Sequence, residues 1–102
     1  MERSVYDRMN ELETQHWWFT ARRAIIAALI GPLLKEKPDA AILEAGCGSG
    51  GNLSMLGHFG KVDAFEFDAN ARNAAVEKSG LDVHFGALPG ELPFTDKRYD
   101  LI

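Results

Sequence analysis

The stretch from Ile42 to Asn52 holds the densest chemistry in this chain. It reads Ile-Leu-Glu-Ala-Gly-Cys-Gly-Ser-Gly-Gly-Asn. An apolar run ends in an acid, and glycines follow at alternate positions 46, 48 and 50. Such spacing predicts a buried strand that breaks into a tight turn and then enters a helix. Glycine suits the turn because it reaches positive φ and lets the backbone approach a ligand closely. The free N–H groups that open the following helix then face that ligand. Glu44 sits at the end of the strand, where its carboxylate suits a cationic amine better than a phosphate. A second acid, Glu66, ends the apolar run from Val62. At a strand end it either accepts hydrogen bonds from both hydroxyls of a ribose or simply faces solvent.

These groups need a scaffold, and the pattern around them supplies one. Helices are predicted over 4–13, with Ser4 and Asp7 at its start, and over 15–30, where Gly31-Pro32 should stop or kink it. In the second helix Trp18, Arg22, Ile25, Ile26 and Leu29 recur at three- and four-residue steps. The adjacent Trp17 and Trp18 cannot share one face, so one of them should leave the core. Strands are predicted at 41–44, 62–66 and 82–85, with helices at 52–58 and 70–79 between them. Asp68 should cap the latter helix, with Gly80 just past its end. A Pro- and Gly-containing loop leads to a fourth strand that begins at Asp100. Alternating strands and helices argue an α/β fold with a parallel sheet and right-handed crossovers. Ligands in such sheets bind at the C-terminal ends of the strands.

Gly46, Gly48 and Gly51 also satisfy the G-x-G-x-x-G spacing of dinucleotide sites, and Glu66 falls where that fingerprint expects an acid. Glycine spacing alone does not separate the two readings. Glu44 would sit badly beside a pyrophosphate, however, and the first strand follows a long helical lead-in instead of opening the chain.

Three motifs together carry a resemblance. The Glu44–Gly50 loop resembles motif I of class I S-adenosylmethionine-dependent methyltransferases. The stretch Leu92-Pro93-Phe94 through Tyr99-Asp100-Leu101-Ile102 is similar to the Leu-Pro-Phe…Phe-Asp-Leu-Ile/Val segment of the same family. The lead-in Gln15-His16-Trp17-Trp18-Phe19-Thr20-Ala21-Arg22-Arg23 resembles that of bacterial members of the type 11/12 group. The resemblance implies a Rossmann-like three-layer αβα sheet, cut after the start of strand four. Residues 1–37 would be a helical lead-in over the cofactor mouth, and 38–102 part of the cofactor-binding domain.

The same resemblance implies the chemistry. S-adenosylmethionine would be the methyl donor and S-adenosylhomocysteine the product. Glu44, Gly46, Cys47, Gly48, Gly50 and Asn52 would hold the aminoacyl end, and Glu66 the ribose. Phe67 would pack on adenine or join the core. Many family members carry Asp where this chain has Ala87, so adenine would rest on backbone groups of Ala87 and Leu88, with Leu88 as an apolar wall. Arg22 would hold the cofactor carboxylate or lie in water, and Arg23 would lie in water. Tyr6, His16 or Trp17 would cover the sulfonium, a cation that aromatic faces attract. His16 and Tyr6 are the weak candidates for a catalytic role, because the segment that usually carries it follows strand four. Cys47 is a small residue filling a tight turn.

Composition narrows the partners. Residues 1–37 carry six basic and five acidic side chains, and residues 38–102 carry five basic and ten acidic ones. An acidic cofactor half counts against a nucleic-acid substrate and favours a small-molecule acceptor. A single cysteine excludes an intrachain disulfide and fits a cytoplasmic setting. The longest apolar run, Ala24 to Ile30, falls short of the ~20 residues a membrane span needs. No Cys/His spacing suggests a metal site. Two other readings stay open: a non-catalytic module that binds S-adenosylmethionine or S-adenosylhomocysteine, and a chain that self-associates as a homodimer through an open sheet edge.

Overall fold

The computed structural model describes residues 2–102. Two helices lead in, α1 (Arg3–Leu12) and α2 (Trp17–Leu34). Strands and helices then alternate as β1 (Ala40–Ala45), α3 (Leu53–Gly57), β2 (Gly60–Glu66), α4 (Ala69–Ser79) and β3 (Val83–Phe85). The three strands are parallel in the order β1-β2-β3, with Ile42 beside Val62 and Ala64 beside Val83. Leu101 adds a single parallel bridge to Ile42 on the free edge of β1. The Leu43 N–H donates to the Leu101 carbonyl at 2.9 Å, and the Asp100 N–H donates to that of Ala41 at 2.7 Å. The expected fourth strand therefore begins beside β1, as one bridge.

The core lies on one face of the sheet. Ile42, Val62, Ala64 and Val83 share that face by register. Ile30 and Leu34 of α2 and Leu56 of α3 pack against Ile42. Leu53 and Ala75, from α3 and α4, pack against Ala64. Val62 touches both groups. Both crossovers follow one hand along one direction of the sheet, so α3 and α4 fall on the same side. On the opposite face lies an irregular segment instead of a second helical layer. There Lys97 and Tyr99 bond Asp63 at 3.1 and 2.7 Å, and Phe94 meets His84 edge-on at 4.8 Å. The three-layer expectation thus reduces to a helical layer, a sheet and this irregular cover.

The lead-in departs from its predicted form in four ways. Helix α1 starts at Arg3, and Glu2 precedes it without a side-chain cap, so Ser4 is interior rather than capping. Helix α2 starts at Trp17, because His16 Nδ1 accepts the Trp18 N–H at 3.3 Å and acts as its N-cap. The helix runs through Pro32 to Leu34. Proline disfavours this by removing one backbone donor, but burial of Leu34 in the core opposes it. The buried face is Ile26, Ile30 and Leu34, so Trp18, Ile25 and Leu29 point outward. Both tryptophans leave the core, Trp17 at 70% exposure and Trp18 at 53%.

Helix α4 follows its predicted form. Asp68 accepts the Ala71 N–H at 2.9 Å, and Gly80 takes the left-handed conformation at φ 74°.

Long-range ion pairs dock α1. Arg3 grips both carboxylate oxygens of Asp68 through its two terminal guanidinium nitrogens, and Lys78 meets Glu13. Both pairs span the same sequence distance of 65 residues. Helix α1 therefore runs beside α4 in the same direction.

Candidate functional site

The turn after β1 has the predicted geometry. Gly46, Gly48 and Gly50 have φ of 76°, 59° and 83°, which L side chains rarely adopt. A Cβ at Gly46 or Gly48 would meet nothing within 4 Å, so these two present bare backbone to open space. Gly50 differs: a Cβ there would stand 2.8 Å from Ala75. Its smallness lets α4 close onto the turn.

Beside this turn lies a cavity of about 260 Å³. Tyr6, Arg22, Glu44, Gly46, Cys47, Gly48, Asn52 and Glu66 of the expected site all line it. Phe67, Ala87 and Leu88 line a neighbouring depression of about 320 Å³. Gly46 and Glu66 border both. The expected residues thus divide between two adjoining hollows with one acid at the boundary. His16 and Trp17 line neither, since His16 caps α2 and Trp17 projects outward. Gly50 lines neither as well.

The two acids are held differently. Glu66 is buried, with Oε1 accepting the Gly48 N–H and Oε2 the Asp68 N–H, each at 2.8 Å. Each carboxylate oxygen retains a further lone pair for an incoming hydroxyl. At Glu44, Oε1 accepts from Asn52 Nδ2 at 3.4 Å, a long bond, and Oε2 is buried with no partner. Burial pushes the Glu44 carboxyl above its ordinary value, while the Asn52 bond and the Arg22 charge pull the other way. An orphaned buried acceptor is uncommon and costs free energy. A cationic donor would relieve it.

Cys47 is inert. Burial, with the charges of Glu44 and Glu66 adding to it, raises its thiol to about 12. A thiol so placed stays protonated and fills the turn.

Two expectations need correcting. The Ala87 N–H donates to the Glu91 carbonyl at 2.8 Å, and its carbonyl accepts from Glu91 at 2.9 Å. A small hairpin therefore takes up both backbone groups of Ala87, leaving Leu88 exposed at the rim. Arg23 does not lie in water. Its guanidinium donates to the carbonyls of Glu13 and Thr14, pinning α2 to the end of α1.

The sequence reading passed over two further residues. Glu13 is only 7% exposed, lines the cavity and accepts the Ser49 hydroxyl at 2.6 Å. Arg72 donates to the carbonyls of Glu66 and Phe67 at 2.9 and 3.2 Å, with its guanidinium 5.5 Å from the Phe85 ring. Phe67 in turn stands 5.9 Å from that ring.

Among the described residues no helix is long and apolar enough to cross a membrane. No family model and no curated protein matches this chain.

Proposed function

We propose that this chain carries the cofactor-binding part of a class I S-adenosylmethionine-dependent methyltransferase with a small-molecule acceptor. One observation carries the reading: Glu44, whose Oε2 is buried without a partner, lines the cavity beside the bare backbone of Gly46 and Gly48. A carboxylate so placed fits an ammonium group. The Arg22 guanidinium lines the same cavity and fits the adjoining carboxylate of an amino acid. Glu66 stands between the two hollows, where a ribose would lie, and Phe67 and Leu88 offer apolar surface to a purine. Strand order supports a Rossmann-like sheet. With Leu101 beside β1, the chain direction of progression reverses at β1, and ligands of open α/β sheets bind at that reversal.

When bound, S-adenosylmethionine supplies a methyl group on a sulfonium to a nucleophile on the acceptor. The residues of this chain bind and orient. Glu44 neutralises an ammonium, Glu66 fixes ribose hydroxyls, and the turn holds its backbone against the ligand. Proximity and alignment are the main contributions to such a transfer. Of the three candidates for the sulfonium side, Tyr6, His16 and Trp17, only Tyr6 lines the cavity. The nicotinamide or flavin alternative is disfavoured because Glu44 would oppose a pyrophosphate.

Calorimetric titration tests this reading. Saturable binding of S-adenosylmethionine and S-adenosylhomocysteine, weakened by Glu66→Gln and absent for NAD, is the expected result. Binding of NAD with neither adenosyl compound would replace it with the dinucleotide reading.

A second reading is favoured by one feature. An apolar groove lined by Ile26, Ile30, Leu43, Met55 and Leu101 opens beside the bridge to β1. It supports a chain that self-associates as a homodimer at this edge. A monomeric mass by light scattering at high concentration removes that reading.

A further inference from the structure

We propose that Glu13 is a positioning residue of the glycine turn, so that the lead-in sets the shape of the ligand cavity. Glu13 ends α1 yet is almost fully buried, which is rare for a carboxylate unless it is paired. Its Oε1 accepts the Ser49 hydroxyl at 2.6 Å and meets the Lys78 ammonium from α4. Its other oxygen lies against Gly51, where a Cβ would come within 2.6 Å of it.

Gly51 lies against the same carboxylate. Its backbone is not in the left-handed region, unlike that of Gly46, Gly48 and Gly50. Conformation therefore does not explain a glycine at 51. The Glu13 carboxylate does, because a side chain at 51 would push it away from Ser49 and Lys78. One carboxylate thus bonds residue 49 and excludes a side chain at residue 51. The flanking Gly48 N–H is fixed to Glu66. The turn is gripped from two sides, by Glu66 below and by the lead-in above.

A purely structural ion pair would affect stability alone. A positioning role predicts a local signature in the turn, and a coupling between Glu13 and Gly51. The first readout is the backbone amide spectrum of the full chain without ligand, in the native form, Glu13→Gln, Glu13→Ala, Gly51→Ala and the double variant Glu13→Ala/Gly51→Ala. Glu13→Ala should shift the Gly48, Ser49 and Gly51 amides, and Glu13→Gln, which keeps an acceptor for Ser49, should restore most of the native pattern. Gly51→Ala should destabilise the native chain and be tolerated in the Glu13→Ala background.

The second readout, which rests on the cofactor reading, is S-adenosylhomocysteine affinity. It should fall at least about tenfold in Glu13→Ala, as misplacement of a binding backbone implies, and recover in Glu13→Gln. Unchanged turn amides in a folded Glu13→Ala, or additive effects of the two substitutions, would overturn the proposal. If the native chain binds no S-adenosylhomocysteine, the cofactor reading fails, while the amide spectra and the coupling still decide the role of Glu13.

Discussion

The Gly48 N–H donates to Glu66 Oε1 at 2.8 Å, joining the turn after β1 to the end of β2. The second Glu66 oxygen holds the Asp68 N–H at the start of α4. Glu66→Ala leaves both donors without acceptors. Hydrogen bonds to a charged group contribute about 1.5–3 kcal/mol each, so losing both should cost about 3 kcal/mol or more. Glu66→Gln keeps an acceptor oxygen and should cost less. Urea unfolding of both variants measures this, and equal midpoints would contradict the assignment.

Glu44 costs the free chain stability at neutral pH. Its carboxyl titrates above the ordinary value because burial disfavours the charge. A group whose folded pKa is raised binds its proton more tightly folded than unfolded. Its contribution is present below the unfolded value and is lost as pH rises through the folded one. Glu44→Gln should therefore stabilise the free chain at neutral pH, by about 1 kcal/mol, and flatten the decline above pH ~4. The same variant should lose affinity for S-adenosylmethionine. Thermal melts across pH, paired with calorimetry, check both signs.

The docking of α1 should weaken in acid. Arg3 holds the Asp68 carboxyl down to about 2, helped by the Ala71 N–H. Lys37 and the Ala41 N–H likewise lower that of Asp100. A depressed carboxyl contributes stability above its unfolded value of about 4, and the contribution disappears as pH falls through the folded value. Arg3→Met should thus lower the urea midpoint at pH 6. Its gap from the native chain should narrow between pH 4 and 2, and also in 1 M salt because the pair is exposed. A gap independent of pH would place its origin elsewhere.

Gly50→Ala combines two penalties. The added Cβ must adopt φ 83° and stand 2.8 Å from Ala75. Strain at positive φ costs of order 1–3 kcal/mol, and overpacking of this kind adds a similar amount. A loss above about 2 kcal/mol is expected, against a smaller one for Gly46→Ala, where space is open. Chemical denaturation ranks the two.

Much of this was legible from local pattern. Short apolar runs bounded by glycine marked β1 and β2, and Asp68 and Gly80 marked both ends of α4, because caps and turns are local chemistry. The face of α2 was not legible. Trp18, Ile25 and Leu29 form one stripe and Ile26, Ile30 and Leu34 another, and periodicity cannot choose between two stripes on a helix apolar nearly all round. The choice came from where the sheet lies. Glu13, Arg3 and Lys78 were passed over for a related reason: each reads as an ordinary surface charge until its distant partner is known. Ala87 read as a free backbone site because Pro89-Gly90 marks a turn without saying which flanking residues pair across it.

The shared spacing of the Arg3–Asp68 and Glu13–Lys78 pairs has a meaning for biosynthesis. Helix α1 leaves the ribosome before α4, and each of its partner residues follows 65 residues later. At about 5–20 residues per second, that is a wait of roughly 3–13 s. For that interval α1 stands without the helix that its ion pairs dock onto, at the stage when chaperones and proteases meet the nascent chain. Completion of α4 ends the wait at both ends of α1 together.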